Sequence, residues 1–139
     1  MSSWVLSCNP QVYSHAASFR QNGFIDWVTV NRFEDGDIIY IYEVILPRGR
    51  GAIVYKAEVT EVNLTLDNKT NDRVFWKDGV YPKDYSAYKF SRLKLISEKD
   101  DDSLSLESLR KHGFTAPQGF AYLLDNKPSL LCYIQNHFN

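Results

Sequence analysis

The stretch Gly36-Asp37-Ile38-Ile39-Tyr40-Ile41-Tyr42-Glu43-Val44-Ile45-Leu46 decides the fold. From Asp37 to Leu46 it is almost continuously apolar, β-branched and aromatic. It is too short and too β-branched for a helix, so it predicts a central strand covered on both faces. Glu34-Asp35-Gly36-Asp37 makes the turn before it, and Pro47-Arg48-Gly49-Arg50-Gly51 the turn after it. A second long strand follows over Ala52 to Leu64. There Lys56, Glu58 and Thr60 alternate with Ala57, Val59 and Val62, so one face packs and the other meets water.

Working outward, Trp4-Val5-Leu6-Ser7-Cys8 predicts a short buried strand. Asn9-Pro10 then suits a helix cap and first helical position, and Val12, Tyr13, Ala16, Ala17 and Phe19 give one apolar helical face. Asn22-Gly23 ends that helix. Phe24 to Val30 is β-prone without a clear period, a short strand or an ordered loop. On the far side of the hairpin, Asp67 to Asp84 is a long polar loop, and a loop of that length in a small domain is more often functional than idle. Tyr88 to Ile96 alternates as a strand. Ser105 to Lys111 is a short helix stopped by Gly113, Phe120 to Leu124 a short strand, and Pro128 opens a last helix with Leu131, Ile134 and Phe138 inward. The order β-α-(β)-β-β-β-α-β-α predicts an α+β domain: a mixed, mostly antiparallel barrel flanked by helices, in one unit over residues 1–139.

Length and composition fit that unit. The 139 residues are 44% hydrophobic and 24% charged, enough to build one core. The aromatic share is 14%, with nine Tyr, eight Phe and three Trp. These bury large areas, and Tyr and Trp also offer stacking faces to flat ligands. A net charge of −1 excludes a strong non-specific nucleic-acid binder, whose affinity comes from a basic excess. Any nucleic-acid contact must therefore be local and rest on a pocket.

Catalytic and metal chemistry find little support. His15, His112 and His137 read as surface or capping residues, the last two in final helical turns where the dipole favours them. Cys8 and Cys132 read as small core hydrophobes, not a disulfide framework. No metal-ligand spacing or phosphate-binding glycine motif occurs, so no cofactor, no metal and no enzymatic activity are expected. Arg48 and Arg50 are either solvated hairpin residues or phosphate contacts beside a pocket. Glu98 to Asp102 is an acidic turn that would repel nucleic acid. With no N-terminal signal and no apolar run near the roughly 20 residues of a membrane span, the cytoplasm is the expected location.

Four segments together resemble EVE domains of the PUA-like superfamily, which are related to YTH domains. They are Trp4 to Tyr13 with its polar-Asn-Pro step, Gly36 to Tyr42, the following strand, and Pro117-Gln118-Gly119 after a leucine-rich short helix. The resemblance spans nearly the whole chain and rests on order and spacing. It implies a PUA-like barrel that holds a nucleobase, modified in the reading the family suggests, in an aromatic-lined pocket of a stand-alone DNA or RNA reader. By the same resemblance Ser7, Cys8 and Asn9 would read a base edge, Trp27 would be a stacking wall and Gln118 would close the pocket. Asn9 is equally a helix cap, and Trp27 equally core. Tyr13 and Tyr42 are further candidate walls whose periodicity also suits the core. Trp76, Tyr81 and Tyr85 either form a lid or pin the long loop down. Two other readings stay open. One is a general RNA-binding module using Arg48, Arg50, Lys89, Arg92 and Lys94; the other is a nucleotide-processing enzyme.

Overall fold

A computed structural model describes residues 1–29, 33–44, 50–115 and 121–138. Six strands form one sheet in the order β2-β5-β4-β3-β1-β6. They are β1 (Ser3–Cys8), β2 (Phe24–Thr29), β3 (Ile38–Glu43), β4 (Ala52–Leu64), β5 (Lys89–Glu98) and β6 (Ala121–Leu123). Three helices accompany them: α1 (His15–Asn22), α2 (Leu106–Lys111) and α3 (Pro128–Asn136). The predicted element order is the observed one. The sheet is mixed and mostly antiparallel: β1 and β3 run parallel, and the other four pairings are antiparallel. Among the described residues the edge strands β2 and β6 do not pair, so the barrel of the prediction is an unclosed, curled sheet.

The deciding stretch behaves as read. Ile39, Tyr40, Ile41 and Tyr42 are all buried, because β3 is central and both its faces are covered. Gly36, at a φ of +94°, makes the turn that sends the chain into it. Asp37 is buried and clasps the N-terminus. Its Oδ1 accepts from the Ser2 amide at 2.8 Å, and its Oδ2 accepts from Trp4 Nε1 at 3.1 Å and from the Glu34 amide at 3.0 Å. β4 covers the predicted 52–64, and register shifts against both β3 and β5 strengthen its bend.

The two faces of the sheet carry separate cores. Leu6, Cys8, Phe19, Ile25, Ile39, Ile41, Val59 and Leu93 pack on the concave side with α1. Val5, Tyr40, Tyr42 and Ile53 pack on the other side with Leu109 of α2 and with Leu130 and Ile134 of α3. At about 25 cal/mol per Å² of apolar area removed from water, such burial is the main force opposing chain entropy.

The first helix differs from its prediction. It begins at His15, not at Pro10, and its N-cap is Ser14. Asn9 instead closes a local turn, its Oδ1 accepting from the Gln11 amide at 2.9 Å. Val12, expected inward, is 45% exposed, and Ala16 is exposed too, while Ser18 and His15 are buried. Cys132 is exposed, contrary to its reading as a core residue. In α3 the buried residues are Leu130 and Ile134, with Leu131 and Phe138 only partly covered. Among the described residues no helix is long and apolar enough to cross a membrane, and no group of three His, Cys, Asp or Glu is placed to hold a metal ion.

Candidate functional site: an aromatic cavity beside β2

Three segments meet on the concave side: the approach to α1, strand β2, and the loop between β4 and β5. Their junction is physically determined. The loop is stitched to residues 12–14 by two backbone hydrogen bonds, Ser14 N to Phe75 O at 2.8 Å and Lys77 N to Val12 O at 3.0 Å. Tyr13 and Trp76 face each other as an isolated antiparallel bridge. The loop's tight turns use Asp78 at φ +64°, Gly79 at φ +67° and Asp84 at φ +62°, residue types that tolerate the left-handed region.

Between these segments lies a partly open cavity of about 110 Å³, lined in part by Tyr13, His15, Trp27, Trp76 and Tyr85. Its rings form a connected set. Tyr13 lies 5.0 Å from Trp76 at 73°, Trp76 lies 5.5 Å from Tyr85 at 82°, and His15 lies 5.2 Å from Trp27 at 34°. The Tyr13–Trp76 and Trp76–Tyr85 pairs are steeply inclined, so these rings wall a slot on several sides and do not stack into one another.

Two acidic residues, Asp26 and Asp72, also border the cavity, and their carboxylates are buried and paired. Asp26 binds Arg92 through Nε at 2.8 Å and Nη2 at 3.0 Å, and accepts from the Thr70 amide at 2.8 Å. This pair follows from register, since Asp26 sits opposite Arg92 across β2 and β5. The hydrogen bonds that Arg92 donates to Asp26 hold its guanidinium above its ordinary pKa. Asp72 accepts from Lys69 Nζ at 2.7 Å and from the Tyr13 hydroxyl at 2.8 Å, and that hydroxyl also lies 2.8 Å from Ser18 Oγ. Burial raises the pKa of Tyr13 and Tyr85, so both hydroxyls keep their protons at neutral pH. A buried charge is tolerated only with such partners.

Two ring nitrogens in this wall differ from everything around them. His15 Nδ1 and Trp76 Nε1 are buried and find no hydrogen bond of good geometry among the described residues, though the Tyr13 backbone lies within reach of the His15 imidazole. An unmet buried polar group costs about 1–3 kcal/mol, so a folded chain keeps one where something else completes it. Burial also lowers the pKa of His15 to about 4, which leaves the imidazole neutral in the cell. His15 was expected at the surface or as a cap. It is instead 7% exposed, because the later helix start turns the first helical residue inward. His112 and His137 do cap, through Nδ1 contacts with the Ser108 and Tyr133 carbonyls.

The sequence-derived candidates divide sharply. Trp27 and Tyr13 are in the cavity wall. Ser7, Cys8 and Asn9 are not among its lining residues. Cys8 is buried in the concave core, where burial pushes its thiol pKa far up. Tyr42 is buried on the opposite face against Phe114. Arg50 is tied to the acidic turn, donating to the Lys99 and Asp101 carbonyls and pairing with Asp102 at 3.4 Å. Arg48 and Gln118 lie outside the described residues. Of the loop aromatics, Trp76 and Tyr85 join the cavity, while Tyr81 stacks on Tyr85 at 5.3 Å. His15, Asp26 and Asp72 were missed. An acidic residue interrupting the β-prone run Phe24 to Val30 was the available signal for Asp26.

No protein-family model matches this sequence, and no match to a curated protein is found. Solved structures share the fold. A tyrosine-to-phenylalanine variant of an ASCH protein from Zymomonas mobilis aligns over 100% of both chains, at 10% identity and a TM-score of 0.66. A hypothetical protein from Leishmania major aligns over 99% of this chain and 94% of its own, at 16% identity and a TM-score of 0.62. Human THYN1, solved in complex with DNA containing 5-methylcytosine, aligns over 100% of this chain and 99% of its own, at 10% identity and a TM-score of 0.63. The fold is therefore PUA-like, of the kind found in ASCH proteins and in THYN1.

Proposed function

We propose that this chain is a non-enzymatic, EVE-type nucleic-acid reader that takes one nucleobase, a modified one in the sharper form of the proposal, into the Tyr13–Trp27–Trp76 cavity. One observation carries it: a partly open slot lined by the rings of Tyr13, Trp27 and Trp76. Aromatic faces serve any flat heterocycle, and stacking contributes roughly 1–3 kcal/mol per base. That offsets the few kcal/mol needed to unstack a flipped base. A buried methyl adds only about 0.8 kcal/mol, so selection for a modification also needs a shape that leaves the plain base poorly packed.

The DNA-bound THYN1 neighbour of like fold supports a nucleic-acid partner. Phosphate contacts move from the Arg48–Arg50 hairpin to the loop itself. Arg73 and Lys77 are exposed there and flank Trp76 in sequence, whereas Arg92, invoked for a general RNA-binding surface, is engaged by Asp26 and Glu61. Action without turnover and a cytoplasmic location are part of the same proposal.

The test is a titration of the protein and its Trp27→Ala variant with oligonucleotides bearing different modified bases. Loss of roughly tenfold or more in affinity, with the fold kept by circular dichroism, is expected from the loss of one stacking wall. Equal affinity of the two proteins would remove Trp27 from the site.

A further inference from the structure

Exposed apolar side chains gather beside the cavity. Six large apolar or aromatic side chains are exposed among the described residues. Four of them, Val12, Val74, Val80 and Tyr88, belong to the approach to α1 and the β4–β5 loop, two of the segments that wall the slot. Single exposed apolar residues are ordinary, but a concentration of them marks an interaction surface. Val74 is 75% exposed and Val80 65%. Val74 sits in the turn Arg73–Phe75, between Asp72 and Trp76, which both line the cavity. Two residues of chain span at most about 7 Å, so Val74 stands close beside the slot. It borders not the slot itself but a surface groove shared with Asn71, Arg73 and Gly79. The turn is stiff: Phe75 N donates to Asp72 O at 3.0 Å, Trp76 N donates to Arg73 O at 3.1 Å, and the Asp72 carboxylate is tied to Lys69 and Tyr13. The charge of this rim is local as well. From Asn71 to Lys89 the exposed ionic side chains are Arg73, Lys77, Lys83 and Lys89 against Asp78 and Asp84, a basic surplus on a chain whose net charge is −1.

Resting on the base-reading function proposed above, we infer that this rim engages double-stranded nucleic acid, with Val74 as the wedge that enters the gap left by the extruded base. Taking a base out of a duplex leaves its neighbours unstacked, and an apolar side chain inserted at that step offsets part of the cost. A β-branched side chain has few rotamers to lose, and the turn that carries it is already fixed, so insertion freezes little motion. Arg73 and the exposed lysines supply a sequence-independent attraction to the phosphates on either side. A second copy of this chain suits the rim poorly. A two-fold contact would set the same basic side chains against one another. Single strands hold no stacked gap to fill, so the wedge acts on duplexes alone.

Comparing duplex with single strand isolates the wedge. The protein and its Val74→Ala variant are titrated by fluorescence anisotropy with matched single strands and duplexes. Each carries cytosine, 5-methylcytosine, adenine or N6-methyladenine at one position. Val74 belongs to neither core, so the variant keeps its fold, checked by circular dichroism. Removing its two methyl groups is expected to weaken the best-bound duplex roughly tenfold, while the corresponding single strand stays within about twofold. Unchanged duplex affinity, or equal weakening of both forms, overturns the wedge and leaves the base reader standing. Binding of the unaltered protein to single strands alone does the same. Binding to no oligonucleotide in either form overturns both. Sedimentation velocity supplies the last arm: a dimer that Val74→Asp dissolves reassigns the rim to self-association and overturns the wedge.

Discussion

The two faces of the sheet are built from the same strands and solve opposite problems. The α2–α3 face is closed with apolar matter: Leu104, Leu109, Leu124 and Ile134 are completely buried, and Tyr40 and Tyr42 nearly so. The α1 side and the adjoining β2 edge hold the buried polar residues His15, Ser18, Asp26, Lys69 and Asp72, two ion pairs and a slot. Apolar packing gives stability with no message. Buried polarity costs stability and is kept where it fixes a geometry or meets a ligand. The comparison teaches that the α2–α3 face stabilises by apolar packing, while the α1 side and β2 edge combine stabilising ion pairs with a fixed geometry around a slot.

The sharpest way to break the contrast is at the ion pairs. Asp72→Ala leaves the Lys69 ammonium, whose side chain is 1% exposed, without its carboxylate, and removes the acceptor of the Tyr13 hydroxyl. A stability loss of about 3–5 kcal/mol is expected in urea unfolding. A loss below 1 kcal/mol would show that water or a rearranged side chain replaces the carboxylate.

On the convex face Leu109→Ala should cost about 2–4 kcal/mol through the cavity it opens, with base affinity of the folded fraction unchanged. A change in affinity there would mean that the two faces are coupled through the sheet.

Acid should find the concave face first. The ordinary His pKa near 6.5 holds in the unfolded chain, whereas in the folded chain the pKa of His15 is lowered to about 4. The unfolded state therefore binds more protons between those values. His15's contribution is intact above about pH 6.5, is lost as pH falls toward about 4, and levels off below. The full loss is about 3 kcal/mol by linkage. His15→Leu should remove that part of the acid slope when melts at pH 7 and pH 4.5 are compared with the parent. An identical slope in the two proteins would mean that the imidazole finds a partner or water when protonated.

The difference between the faces also explains what the sequence could show. β4 was legible to the residue, and β3 closely, because their periodicity reports burial directly. The long polar loop was legible as important, though not as a cavity wall. The phase of α1 was not legible. Small apolar residues such as Ala16 fit either side of a helix, and the Asn9-Pro10 start signal serves a local turn instead. Nor were the ion pairs, since Asp26 meets Arg92 across 66 residues and only through the β2–β5 register. Trp27 was named only through the family resemblance, and here it both borders the cavity and packs against the α1-side core.

The three tryptophans supply the most direct test. Trp27 and Trp76 line the cavity, whereas Trp4 donates its indole N–H to Asp37 and is not among the lining residues. In a ¹⁵N NMR titration with a single-stranded oligonucleotide carrying the best-bound base, the indole N–H signals of Trp76 and Trp27 should shift in a saturable way while that of Trp4 stays in place. Shifts confined to Trp4, or saturable binding that leaves the Trp27 and Trp76 signals unmoved, would contradict the cavity as the site.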